Sequence, residues 1–328
     1  MQKPVNRDVI AIGASAGGFQ VLLDLASQLP ADLRAAVLIV LHIGSHPSTL
    51  PELLSASGPN RAVHPHNGQP LRPGMIYIAP PDHHMLLDGD SIVLSRGPKE
   101  NHARPAIDPL FRSVAIACGS RAIGVVLSGF MDDGTAGMQA IKECGGLTVV
   151  QDPKDAEQAD MPASVCEYVD VDYCVPRASL AGTLLKLIGS PAAAPVSTPQ
   201  WITSEQRLNE GAADAMEELD RIGKRSEFSC PDCEGVLWEI TDSEPRRFRC
   251  HTGHAFTLRS LEHTQGTNTN RALWSAIRAL QEREALLTAM IAECRKRGRD
   301  DEIARLETAL DAVSQQVARL HEITVGKG

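Results

Sequence analysis

The chain has 328 residues, more than one ordinary domain needs, and its 43% hydrophobic and 22% charged content is that of a water-soluble globular protein. A formal charge of −9 argues against broad nucleic-acid binding, and no apolar run approaches the ~20 residues that would cross a bilayer. The first residues show no basic leader with an apolar stretch behind it, so a cytoplasmic protein without membrane insertion is expected.

In chain order, 9–12 reads as a strand and 19–29 as a helix of apolar period near 3.6. With aromatics at only 4%, the core must be built mainly from Ala, Val, Ile and Leu. The run AAVLIVL at 35–41 is a continuous apolar strand, as expected where helices cover both faces of a sheet. Residues 75–79 and 91–94 read as a strand pair around the polar turn Asp88-Gly89-Asp90. Further along, 109–117 reads as helix, 123–127 as buried strand, 137–144 as helix, 147–151 as strand, and Ser164 onward as helix. This alternation implies a doubly wound, mainly parallel α/β sheet over 1–188. The Pro-, Ala- and Ser-rich stretch 189–203 reads as a linker, 204–224 as a helical connector, 225–266 as a small cysteine-bearing module, and 267–328 as two helices. In the last, Leu273, Ile277, Leu280, Leu287, Ile291 and Cys294 recur at helical spacing, as do Ile303, Leu306, Leu310, Val313, Val317 and Leu320 after Gly298. That pattern gives either a hairpin within the chain or a coiled coil through which two chains associate.

Gly13-Ala14-Ser15-Ala16-Gly17-Gly18 follows the first strand and opens the first helix. In that setting G-x-S-x-G is a nucleophile elbow, a sharp turn whose small neighbours expose the serine at the carboxyl edge of the sheet. The helix N-terminus favours a developing oxyanion, with the N–H of Ala16 as the first donor. Phosphate and dinucleotide loops use the same geometry. Here, however, Ser15 occupies the middle glycine position of that fingerprint, and His42 rather than an acidic residue ends the next strand. After 123–127 comes Ser128-Gly129-Phe130-Met131-Asp132-Asp133-Gly134, which brings a carboxylate to the same edge. Serine is a poor nucleophile until imidazole takes its proton, and a carboxylate holds the imidazole's tautomer. Ser15, His42 and one of the two aspartates therefore have the makings of a hydrolytic triad. Their order in sequence speaks against a lipase-type fold.

Through these residues, and through IYIAPPDHHMLL, RPAIDPLFRSVA, VVLSGFMDDGTAGM and QDPKDAEQADMP in that order, residues 8–188 resemble the catalytic domain of CheB, the protein-glutamate methylesterase of bacterial chemotaxis. The resemblance implies a triad of Ser15, His42 and Asp133, the aspartate directly before the glycine of the DG pair being the match rather than Asp132. It implies substrate or oxyanion contacts at Ala16, Phe130, Met131 and His84, and no cofactor for catalysis. The implied reaction is hydrolysis of glutamyl γ-methyl esters on methylated chemoreceptors, with methanol released and glutamine deamidation as a side activity. Other chemosensory signalling proteins are further expected partners. Arg104 and Asp108 are expected in internal salt bridges. Ala16 stands where many relatives carry Thr, and Met131 replaces a flexible Gly; each is expected to slow catalysis or alter substrate preference. The esterase strand begins near residue 8, so a preceding phosphorylated receiver domain is not expected. The alternative is a noncatalytic adaptor that keeps the esterase fold to bind chemosensory partners.

The remaining motif lies in the cysteine-bearing module. Cys118, Cys144, Cys166, Cys174 and Cys294 have apolar neighbours and read as reduced core thiols. Cys230, Cys233, Cys250 and His254 instead offer three thiolates and an imidazole, the closed set of a structural zinc site. His251 competes with His254 but reaches less well from beside Cys250. So small a module lacks an adequate core, and metal would supply much of its stability. Arg225, Arg246, Arg247 and Arg249 are expected to be solvated surface charges rather than a nucleic-acid patch. Similar zinc-and-helix tails on stand-alone relatives imply an interaction or regulatory role.

Overall fold

A computed structural model describes residues 5–44, 47–241 and 243–325. The chain forms two compact units, one running to Leu261 and the other from Glu262 onward. The first unit begins with β1 (Val9–Ala14), α1 (Gly18–Gln28), β2 (Ala36–Leu41), α2 (Leu50–Ser57), β3 (Arg61–Val63), β4 (Gln69–Pro70), β5 (Met75–Ile78), β6 (His84–Asp88) and β7 (Ser91–Ser95). It continues through α3 (Ile107–Cys118), β8 (Ala122–Val126), α4 (Thr135–Glu143), β9 (Leu147–Gln151), α5 (Asp160–Tyr168), β10 (Tyr173–Val175) and α6 (Arg177–Leu187).

Seven strands form one sheet in the order β10-β9-β8-β1-β2-β5-β3, with every neighbouring pair parallel. Along β1, Val9 and Ala11 enter one core layer while Ile10, Ile12 and Ala14 enter the other. This period of two with both faces apolar is why the strands read as unbroken apolar runs. The first layer is closed by Phe111 and Val114 of α3 and Met138 and Ile141 of α4; the second by Leu22 and Leu25 of α1, Leu54 of α2 and Leu184 of α6. The chain leaves β1 toward β2 and later returns to its other side at β8. The carboxyl ends of β8, β1 and β2 therefore flank the switch point at which open α/β sheets bind ligands.

The expected pairing of 75–79 with 91–94 does not occur. β5 lies inside the parallel sheet, and the partner of β7 is β6, with β4 completing a separate three-stranded antiparallel sheet. The polar turn is where the sequence puts it, but the incoming strand is His84–Asp88 rather than the more β-branched run before it. Cys118 and Cys144 are buried as expected, whereas Cys166 and Cys174 are exposed, because their elements lie at the sheet's outer edge and beside it.

α7 (Gln200–Asn209) and α8 (Ala215–Ile222) lead into a four-stranded antiparallel ribbon of β11 (Gly223–Ser229), β12 (Val236–Ile240), β13 (Arg247–Cys250) and β14 (Ala255–Thr257). Its cores are small: Leu237, Phe248, Phe256 and Leu261 on one side, and Leu219, Ile222, Trp238 and Ile240 on the other. The ribbon is joined to the parallel-sheet domain by buried charge. Glu100 pairs with Arg112 and Arg249, and Glu205 of α7 with Arg112, Arg247 and Arg249. Arg247 and Arg249 are thus buried ion-pair partners, not solvated surface charges as expected. Arg246 does pair at the surface with Glu239, and Arg225 lies over the Trp238 ring. Burial alone would raise Glu100, yet the guanidinium groups of Arg112 and Arg249 hold it below the usual carboxylate range.

α9 (Leu258–Arg297) starts earlier than the expected 267, and α10 (Asp300–Val325) follows a turn at Gly298, which has φ 68°. Within the second unit the two helices run antiparallel, with Trp274 edge-on to His321, Ser314 bonded to Glu284, and Arg295 paired with Glu307. Ile277, Leu287, Ile291, Cys294 and Val313 are its buried seam. Among the described residues no helix is long and apolar enough to cross a membrane.

Candidate active site

Three loops at the carboxyl edge of the sheet meet at His42. Ser15 follows β1 directly, and its N–H donates to Ser128 O at 3.0 Å. His42 follows β2, with its own N–H bound to Ala14 O at 3.2 Å. The His42 ring lies between the other two side chains, with Nδ1 3.2 Å from Ser15 Oγ and Nε2 2.8 Å from Asp133 Oδ2. A carboxylate can only accept, so the Nε2 proton points to Asp133 and leaves the Nδ1 lone pair facing the serine. The two ring nitrogens exchange the places they have in the chymotrypsin-type triad. His42 keeps 21% of its side-chain surface exposed against 3% for Asp133, so the serine side is open and the acid side closed.

Asp133 is held on both oxygens. Oδ2 also accepts the N–H of Ile107 at 2.7 Å, while Oδ1 accepts from Asn101 Nδ2 and Gly134 N, each at 3.0 Å. Burial alone would raise its pKa, but His42 and these N–H donors hold it below the ordinary carboxylate range. Asp108, buried beside it, is pushed well above that range by burial and by the Asp133 charge. The negative charge of the pair therefore rests on Asp133, next to the imidazole. Asp108 is not in the expected salt bridge; it accepts from Gly134 N, Gly137 N and Asn101 Nδ2. Arg104 does form one, with Asp82.

The elbow is set by close approach. A Cβ on Gly13 would meet Ile107 Cγ2 at 2.4 Å, and one on Gly129 would meet Ser15 Cβ at 2.8 Å. Gly17 has φ 77° and lies against Ser128 Oγ, so it is required for both conformation and space. Buried Ser128 fastens elbow to loop: its hydroxyl donates to Ala16 O at 2.8 Å and accepts from Gln158 N at 2.9 Å. Ala16 is exposed, as is Phe130, at 54%. Met131 has φ 64°, the left-handed region natural to glycine and strained for Met. His84 is no part of an open substrate surface. It is fully buried, with Nε2 donating to Pro98 O and Nδ1 accepting from Ala106 N; burial lowers its pKa and favours this neutral form.

A second cluster lies in the ribbon. Cys230 Sγ, Cys233 Sγ, Cys250 Sγ and His254 Nδ1 all lie within 4.8 Å of one another and can hold a metal ion. Cys233 and Cys250 are 3.7 Å apart at sulfur, and Cys250 Sγ is 3.5 Å from His254 Nδ1. These are ligand–ligand edges of a tetrahedron with bonds of roughly 2.0–2.3 Å, and far too long for a disulfide. His251 is outside the set, its ring packed over Gly235.

Sequence reading missed Asn101, Ser128 and Thr257. Thr257 Oγ1 donates to Asp132 Oδ1 at 2.9 Å, and Asp132, buried there, is pushed up to about 6. Ser128 was legible in principle, as a polar residue ending the apolar run IGVVL. Asn101 and Thr257 carry no such signal, because they act across a junction of distant segments.

Residues 10–184 match the CheB methylesterase family. A protein of Leptospira interrogans, provisionally named a protein-glutamate methylesterase/protein-glutamine glutaminase, is 35% identical over 189 residues, covering 56% of this chain and 96% of that one. A protein-glutamate methylesterase/protein-glutamine glutaminase 2 of Methanosarcina mazei is 35% identical over 196 residues, 57% of this chain and 53% of its own length. This chain therefore matches nearly all of the first relative and about half of the second. Among solved structures, the CheB methylesterase catalytic domain of Thermotoga maritima aligns with TM-score 0.54 at 28% identity, over 56% of this chain and all of that domain.

Proposed function

The chain belongs to the CheB methylesterase family, and from that premise we propose that it hydrolyses γ-methyl esters of glutamate side chains on methylated chemoreceptors through Ser15, His42 and Asp133. The observation that carries the reading is the bridging imidazole, 3.2 Å from the serine oxygen and 2.8 Å from a buried carboxylate. His42 Nδ1 takes the Ser15 proton as Oγ attacks the ester carbonyl, and Asp133 stabilises the resulting imidazolium. The N–H of Ala16, in the turn that opens α1, is the proposed oxyanion donor. Collapse of the tetrahedral intermediate breaks the C–OCH₃ bond, and His42 protonates the departing methoxide to methanol. Water then loses a proton to His42 and attacks the acyl-enzyme, freeing the glutamate carboxylate and restoring Ser15. An amide substrate follows the same route with ammonia leaving, which accounts for a glutaminase side activity. Phe130 and Met131 flank the reacting centre and offer an apolar wall to the substrate.

In the ribbon, Cys230, Cys233, Cys250 and His254 are the proposed ligands of a structural zinc ion, whose contribution is to fold stability and not to the reaction. The test of the hydrolytic reading is methanol release from methyl-labelled receptor membranes, comparing this protein with Ser15→Ala. Release that vanishes in the variant supports it. No release from a folded protein, on membranes that a control esterase demethylates, would overturn it in favour of the adaptor.

A further inference from the structure

The parallel-sheet domain and the ribbon meet at the catalytic aspartate. Segment 99–101 runs beside β14, with Asn101 N–H donating to Ala255 O at 2.8 Å and Ala255 N–H to Lys99 O at 3.3 Å. Asn101 has φ 49°, a left-handed conformation that asparagine adopts more readily than most residues. Its side-chain amide bonds both to the aspartates of the parallel-sheet domain and to the segment that ends the ribbon. The Nδ2 group donates one proton to Asp133 Oδ1 and the other to Asp108 Oδ2, each at 3.0 Å. Its Oδ1 accepts from Thr257 N at 3.2 Å and Ser260 Oγ at 3.1 Å. Both donors and both lone pairs are thus used, two toward the acid and two toward the ribbon.

Two further bonds tie the same stretch to the aspartate loop. Thr257 Oγ1 holds Asp132, and Arg259 holds Asp160 at 2.7 Å, whose Oδ2 accepts the N–H of Met131. Below them, Glu100 binds Arg249 of β13 at 2.7 Å. The end of the ribbon and the first turn of α9 therefore grip the two residues that precede Asp133 as well as the amide that bonds it.

We infer that Asn101 is a positioning residue for Asp133 and that Thr257 at the end of the ribbon and Ser260 in the first turn of α9 set Asn101, so that the segment ending the ribbon completes the esterase site. The inference rests on the hydrolytic reading above. Displacement of the Asp133 oxygens is passed to His42, and a misplacement of about 1 Å slows a reaction by up to about 10²-fold.

The test measures phosphonylation of Ser15 by a fluorophosphonate in the full chain, for wild type, Asn101→Ala, Ser260→Ala and the double variant; Ser260→Ala removes the hydroxyl that donates to Asn101 Oδ1. We expect the maximal rate of labelling to fall about 10- to 100-fold in Asn101→Ala and about 3- to 10-fold in Ser260→Ala, with reagent affinity unchanged. In the Asn101→Ala background, Ser260→Ala should add little, because its route to Asp133 is already cut. A folded Ser260→Ala that labels at the wild-type rate, or losses that simply multiply, would overturn the inference even if Asn101→Ala does not fold. A wild type that does not label overturns the hydrolytic reading itself, and the inference with it.

Discussion

The parallel-sheet domain and the ribbon that abuts it are held together by opposite means. The sheet is buried between two continuous layers of aliphatic side chains, and the hydrophobic effect suffices for it. The ribbon has only a handful of apolar residues on each side, and adds a Cys/His cluster and a set of buried guanidinium–carboxylate pairs. Such a region depends on specific partners. Losing one partner leaves another stranded, whereas an aliphatic core loses stability in small steps.

The largest expected consequence is in the metal cluster. A strong chelator at neutral pH should unfold the ribbon, seen as a red shift of Trp238 emission and lost antiparallel signal, because structural zinc supplies ~10–16 kcal/mol in domains of this kind. Retention of the native Trp238 environment without metal would contradict this. Next in size, Ser15→Ala should lower methyl-ester hydrolysis on the order of 10⁴-fold, with the urea midpoint little changed because Asp133 keeps its His42 partner. That contrast separates chemistry from stability within the sheet domain.

The buried pairs come third. Glu100→Gln leaves Glu205 to balance the buried guanidinium groups of Arg112, Arg247 and Arg249 without its partner carboxylate, and should cost about 3–5 kcal/mol in urea unfolding. Arg246→Ala removes a surface pair on the same ribbon and should leave the urea midpoint essentially unmoved.

The smallest effect concerns Asp132, raised from 3.8 to about 6 chiefly by burial. The folded state binds this proton more tightly than the unfolded one, so stability falls as pH rises from about 4 to about 6 and is level above that. Asp132→Asn, which still accepts from Thr257, should therefore match wild type below pH ~4 and exceed it by about 2–3 kcal/mol above pH ~6. A constant difference across that range would show that Asp132 does not titrate as its burial implies.

The same contrast explains what could be read in the sequence. β1, β2 and β8 are legible because both of their faces are apolar, and the ends of such runs locate Ser15, His42 and the Asp132-Asp133 pair without any side-chain geometry. Cys230, Cys233, Cys250 and His254 are legible because metal ligands obey a spacing. The pairing of β6 with β7 was not, since His84-Met85-Leu86-Leu87 has no β-branched residue to distinguish it from helix. Arg247 and Arg249 look like surface residues in any composition-based reading; only their meeting with Glu100 and Glu205, far away in the chain, makes burial affordable. Asn101 is hidden for the same reason. Its function lies in joining residues 108, 133, 257 and 260, and no local pattern encodes that junction.

The central claim, a serine activated by His42 against Asp133, is tested most directly by peptide mapping after exposure of the full chain to a fluorophosphonate. The account predicts a single adduct on the peptide containing Ser15, formed quickly by wild type and lost in His42→Ala. Absence of an adduct on Ser15 in the folded wild type, or equal labelling without His42, would contradict it.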